Sequence, residues 1–113
     1  MITKICTDIE QSKKLTELGI DINTADIIYN IFDKSYIRHD TPIDKYHMPA
    51  WSLTALLELI PKEQHTTLIL NAHYKWVCDI SNPGSFTYEP TSGDNPLDAV
   101  FEMILELHRL KML

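Results

Sequence analysis

Residues 66–80, TTLILNAHYKWVCDI, place Leu68, Leu70, Ala72, Tyr74, Trp76, Cys78 and Ile80 at every second position. A period of two puts all these side chains on one side of an extended chain. Strands average about 5–6 residues, so an alternation this long predicts a hairpin rather than one continuous strand. Parity survives the reversal if the connection is Asn71-Ala72-His73. That register sets Leu70 opposite Tyr74 and Leu68 opposite Trp76 on one buried face. A sheet with one apolar face has to be covered, and the rest of the chain must supply the cover.

Helices supply it. Asp94-Asn95-Pro96 combines a cap with a proline at the first helical position, directly after Gly93. From there Leu97, Val100, Phe101, Ile104, Leu105 and His108 share one face, with Asp98, Glu102, Glu106 and Arg109 on the other, which predicts an amphipathic helix over about 96–110. In PAWSLTALLELIP (residues 49–61), Leu53, Leu56, Leu57 and Ile60 keep helical spacing. Ser52 is the N-cap, and Pro61 ends the segment by biasing Ile60 away from helix. A third helix is predicted over 7–18. Thr7 and Glu10 form a capping box there, and Gly19 stands where a left-handed residue stops the helix. Its apolar face (Ile9, Leu15, Leu18) is thin, so it belongs at the edge of the domain.

The remaining segments are shorter. Asn23-Thr24-Ala25-Asp26 reads as a turn with Asn23 or Thr24 as a cap. IIYNIF, residues 27–32, is rich in β-branched and aromatic residues and reads as a strand, with a helix as the open alternative because Ile27, Ile28 and Ile31 also keep helical spacing. Asp33-Lys34 can turn it into a partner strand over 35–38. Residues 39–50, HDTPIDKYHMPA, read as a proline-containing loop, and Asn82-Pro83-Gly84 is a turn before a further strand at 85–89. The fold expected is α+β: a single domain over residues 1–113 with a small, mainly antiparallel sheet of roughly three to five strands. About three helices cover one face of it in a two-layer sandwich.

Composition narrows the function classes. With 113 residues, 44% hydrophobic and 23% charged, the chain fits one small globular domain. The net charge of −6 argues against a nucleic-acid partner, which is bound by neutralising phosphates; Lys34, Arg38 and Lys45 would have to make any such contact. No apolar run is long enough to span a bilayer, and MITKICTDIEQSKK turns polar by Thr7 without a secretory h-region. Cys6 and Cys78 fall in no CxxC motif and read as reduced thiols of a cytoplasmic protein.

Three segments, TDIEQSKKLTELGIDINTAD, PAWSLTALLELIP and NPLDAVFEMILEL, together with the hairpin around Lys75-Trp76, resemble small uncharacterised proteins of prophages and other mobile elements of anaerobic gut bacteria. The resemblance implies a bacterial or phage protein of the cytoplasm. It carries no activity, and hence no catalytic residues, to this chain.

Chemical motifs are sparse. The glycines Gly19, Gly84 and Gly93 never cluster into a phosphate or dinucleotide loop, and the serines lie in no nucleophile elbow. Hence no catalytic, cofactor-binding or metal-ligating residues are assigned and no cofactor is expected. His39, Asp40, Asp44 and His47 share the proline-containing loop without metal-site spacing, and they mark the alternative of a small hydrolase-like enzyme. Cys78 with His73 is better read as an inward-facing small hydrophobe. Aromatic residues exceed what a core this small can bury. Tyr36, Tyr46 and Trp51 around the loop are the candidate interface for a protein partner or self-association, in keeping with the weight of Tyr and Trp in binding energetics.

Overall fold

The computed structural model describes residues 4–32, 35–38, 47–62, 64–81 and 89–113. In chain order its elements are α1 (Ile9–Glu17), a short 3-10 turn (Ile22–Thr24), β1 (Ile27–Asn30), β2 (Tyr36–Arg38), β3 (His47–Ala50), α2 (Leu53–Glu58), β4 (His65–Leu70), β5 (Trp76–Ser81), β6 (Thr91–Gly93) and α3 (Pro96–Arg109). The fold is α+β, with its strands divided between two three-stranded antiparallel sheets, ordered β2-β1-β3 and β4-β5-β6.

One proline marks the edge of the first sheet. Asn30 N–H donates to Ser35 C=O at 2.8 Å, so the even residues of β1 bond toward β2 and the odd ones toward β3. Pro49, opposite Ile28, therefore has its nitrogen on the side away from β1. It offers no N–H to a further strand, which suits it to an edge and closes the first sheet at β3. This strand lies within the segment 39–50 expected to be a loop. Its pairing with β1 from Ile27↔Ala50 to Asn30↔His47 corrects that expectation for His47–Ala50. β1 itself is as expected, except that it stops at Asn30.

In the second sheet, the hairpin closes one residue later than expected. Tyr74 N–H donates to Asn71 C=O, and Asn71 N–H donates to Lys75 C=O. Ala72, His73 and Tyr74 form the loop, and Tyr74 takes the left-handed conformation at φ 60°. This is a type I turn followed by a left-handed residue, a common hairpin connection. Asn71 accounts for the displacement: its Oδ1 accepts from the N–H groups of His73 and Lys75, which fixes it as the last paired residue before the turn. Leu70 is thus opposite Trp76 and Leu68 opposite Cys78. Leu68 and Trp76 pack against the core with Cys78 and Ile80, whereas Leu70 and Tyr74, expected on the same buried face, are exposed near the turn, which corrects that part of the expectation. Of the strand expected over 85–89, residues 85–88 lie outside the described residues and Glu89 is not in a strand. The third strand is Thr91–Gly93 instead.

α1 begins one residue later than the sequence suggests. Asp8, not Thr7, is the N-cap, and its partner in the capping box is Gln11 rather than Glu10. Thr7 is fully buried and bonded elsewhere. At the other end Gly19 N–H bonds Thr16 C=O and Ile20 N–H bonds Leu15 C=O, the Schellman pattern, with Gly19 at φ 86° as its position requires. The 3-10 turn is capped by the Asp21 side chain rather than by Asn23 or Thr24.

Ser52 caps α2 as expected. Asn95 caps α3 by accepting from Asp98 N–H, and Pro96 occupies its first turn. α3 packs on β5, β6 and α2, and α1 packs on β3. The buried arc of α3 is wider than its expected stripe, because Ala99, Met103 and Leu107 are inside as well. With Trp51, Leu56, Cys78, Ile80, Leu97, Val100 and Ile104 they form the core, where each large aliphatic side chain contributes about 1.5–3 kcal/mol. His108 donates from Nε2 to Leu18 C=O at 3.0 Å, tying the end of α3 to the end of α1. Among the described residues, no helix is long and apolar enough to cross a membrane.

Candidate interaction surface

Among the described residues, the most exposed large apolar side chains adjoining the first sheet lie where β1 ends and β2 begins. Tyr29, almost fully buried, lies opposite Tyr36, and their rings approach to 4.8 Å between centroids at 50°. Such tilted aromatic pairs contribute about 0.5–1.5 kcal/mol beyond area burial. Past the pair the chain turns at Asn30, whose Oδ1 accepts from Phe32 N–H at 2.9 Å. This Asx turn takes Ile31 and Phe32 out of the strand ladder, and they stand 48% and 74% exposed beside Tyr36 at 41%. Partial burial, followed by the neighbouring Cys6 and Tyr29, pushes the Tyr36 phenol up from its ordinary value of 10, so it stays a neutral hydrogen-bonding group at physiological pH.

Trp51 does not belong to this surface. Its side chain is fully buried, which corrects the expectation of a partly exposed interface residue. Its indole Nε1 donates to Thr24 Oγ1 at 2.9 Å and its backbone N–H to Thr7 Oγ1 at 3.0 Å. The adjoining Ser52 donates both its N–H and its hydroxyl to Asp26. The whole entrance of α2 is consumed by structure. Buried polar groups need partners, and here Thr24 of the 3-10 turn and Thr7, just before the α1 N-cap, supply them. Tyr46 lies outside the described residues.

Of the four loop residues considered for enzymatic work, His39, Asp40 and Asp44 lie outside the described residues. His47 starts β3 and lines a cleft of about 270 Å³ with Lys13, Thr16, Glu17, Met48 and Pro49. A second cleft, about 550 Å³, opens between the end of α2 and the start of β4, and offers Glu58, Lys62 and Gln64 as its polar groups. Among the described residues, no group of three His, Cys, Asp or Glu side chains is placed to hold a metal ion. Both cysteines are free and buried, and burial pushes each thiol up to about 11. They are protonated at neutral pH, and neither is a thiolate nucleophile. For the nucleic-acid alternative, Lys34 and Lys45 lie outside the described residues and Arg38 ends β2.

A polar cluster joins α1 to α3. Asp98 accepts from Lys4 Nζ at 2.9 Å, from Gln11 Nε2 at 2.8 Å and from Asn95 Nδ2 at 2.9 Å. Lys4 also reaches Asp8 at 3.1 Å. Burial raises the Asp98 carboxyl, but the bonds from Lys4 and Gln11 outweigh it and leave the group below its ordinary 3.8. For Lys4, burial acts downward, yet the bonds to Asp98 and Asp8 leave it above 10.5. Helical spacing puts Asp98 on the polar face of α3 with Glu102, Glu106 and Arg109, and there it anchors this junction.

Their β-branched and aromatic character predicts Ile31 and Phe32 within the strand, whereas the structure places both beyond its end and exposed. The available signal was Asn30, a residue that starts turns by bonding its own backbone two positions on. No family model, curated protein or solved structure matches the chain.

Proposed function

We propose that this chain is a non-enzymatic protein-interaction module that docks a protein partner on the β1–β2 hairpin tip. The observation that carries the reading is the exposure of three large apolar residues where β1 ends and β2 begins: Ile31, Phe32 at 74% and Tyr36, the last paired with Tyr29. Exposed large aromatic side chains are the kind of group that dominates binding energy at an interface. The net charge of −6 favours a partner with a neutral or cationic surface over a polyanion. The sequence resemblance supports an accessory role in a phage or mobile element, with the cytoplasm as its compartment.

The reading is tested by purifying the chain from the cells that encode it and comparing wild type with Phe32→Ser. Wild type is expected to elute with a stoichiometric partner, and the variant to elute alone with an unchanged circular dichroism spectrum. A partner retained equally by a folded Phe32→Ser variant removes the hairpin tip from the account.

A further inference from the structure

The sheet edges of this protein are not treated alike. β2 and β6 are three residues long, and β3 carries Pro49. Short strands and prolines are the usual devices that keep an edge from pairing with another chain. β4 has neither: it runs for six residues, HTTLIL, and among the described residues no strand pairs with its outer side. From His65 to Tyr74 there is no Asp, Glu, Lys or Arg, in a chain that carries 26 such residues elsewhere, 16 acidic and 10 basic. Ile69 is 53% exposed, Leu70 44% and Tyr74 80%, so the apolar side chains that border this edge are themselves uncovered.

We infer that β4 pairs antiparallel with β4 of a second copy of the chain. The backbone fixes the register. Asn71 N–H bonds Lys75 C=O, so the odd residues of β4 bond toward β5. The N–H and C=O groups of Thr66, Leu68 and Leu70 therefore point outward. About a two-fold axis at Leu68, Thr66 lies opposite the second copy's Leu70, Leu68 opposite its own equivalent, and Leu70 opposite the second copy's Thr66. Every one of these positions is an outward-bonding one, so each pair exchanges both of its hydrogen bonds. The same register keeps inner and outer faces aligned, with Thr67 beside the second copy's Ile69 on the outer face.

A second copy is the occupant the edge suits best. An isologous contact brings the same patch against itself, and this patch is uncharged while the chain as a whole carries −6. Two copies would repel through most other surfaces and meet without a like-charge clash here. The product is one continuous sheet in the order β6-β5-β4-β4-β5-β6. Two strands of this length bury less than the about 1,200 Å² of a stable interface, so the association is concentration-dependent rather than obligate. This inference is independent of the hairpin tip in the first sheet.

Sedimentation velocity from about 10 to 500 μM tests it, in the range where weak association is read. The mass is expected to rise from 13.1 kDa toward twice that value. Amide exchange at Thr66, Leu68 and Leu70 is expected to slow over the same range, with no change at the odd residues of β4. Leu70→Pro removes an outward donor and no intrachain bond, and Ile69→Lys places a charge on the exposed face. Each is expected to weaken dimerisation at least about tenfold, with the thermal transition of the monomer retained. A monomer at all concentrations overturns the inference, and so does a dimer that both folded variants leave intact. If a strand of another protein occupies the edge instead, the purified chain stays monomeric and the same result follows.

Discussion

Thr7 and Trp51 hold each other across 44 residues of sequence: Thr7 N–H donates to Trp51 C=O at 2.9 Å, and Trp51 N–H donates to Thr7 Oγ1 at 3.0 Å. Both residues are essentially inaccessible to solvent, and Thr7 Oγ1 also shares a hydrogen bond of 2.8 Å with Ser12 Oγ. One hydroxyl therefore connects the entrance of α1, the body of α1 and the entrance of α2. Thr7→Ala leaves the Trp51 N–H and the Ser12 hydroxyl buried without this partner, at a cost of about 1–3 kcal/mol. Thr7→Ser keeps the hydroxyl and loses only a methyl group, so it is expected to cost less. Urea denaturation of the two variants separates the hydrogen bonds from the packing.

Gly93 is required by close approach. A Cβ at this position would meet Ala99 N and Asp98 Cβ at 2.7 Å, both held in the first turns of α3. Relieving that contact means moving β6 away from the helix it packs on. Gly93→Ala is expected to destabilise by about 1–3 kcal/mol, the range for overpacking a filled site. Thermal unfolding measures it, and an unchanged midpoint would show that β6 and α3 are not in contact in solution.

The junction of Lys4, Gln11, Asn95 and Asp98 makes stability depend on pH at both extremes. Asp98 titrates below its ordinary 3.8 in the folded protein. Its contribution is fully present above that value and is lost as the pH falls through the lower folded value. Lys4 titrates above 10.5 when folded, so its contribution holds up to that pH and is lost as the pH rises further. Asp98→Asn is expected to cost about 1 kcal/mol at neutral pH, the pair being only partly screened from water. It should also flatten the acid limb of the stability profile. A variant with the same acid limb as wild type would place the pH dependence on other carboxylates.

Both thiols are expected to resist alkylation in the native state, since a thiol titrating at about 11 is almost entirely protonated at neutral pH and both are buried. Mass spectrometry after a short exposure to iodoacetamide should find neither modified without denaturant and both modified in urea. Native-state labelling of Cys78 at the rate of a free thiol would contradict its place in the core.

Much of this architecture is legible in the sequence because local signals agree with the tertiary arrangement. Asn95-Pro96 opens α3, Ser52 opens α2 and Gly19 closes α1, each by a mechanism that needs only neighbouring residues. The alternation reports the inward side correctly for Leu68, Trp76, Cys78 and Ile80, but not for Leu70, Ala72 and Tyr74, which share that parity and are exposed near the turn. What escapes is decided by distant partners. Thr7 resembles a helix cap until Trp51 claims its hydroxyl, and Asp8 takes the role instead. Trp51 borders a proline-containing segment, yet Thr24 satisfies its indole and permits full burial. The edge of the first sheet carries Pro49 with its nitrogen turned away from β1, and that direction follows from the register of β1 rather than from any local signal. The exposed tip at Ile31 and Phe32 was hidden by their own strand-forming character.

The most direct test of an interaction surface at that tip is site-specific photocrosslinking in the cells that encode the chain. A photoreactive amino acid replaces Phe32 in one variant and Glu102, an exposed residue on the solvent side of α3, in another. One discrete protein adduct is expected from position 32 and none from position 102. No adduct from position 32, or the same adducts from both, would contradict an interaction surface there.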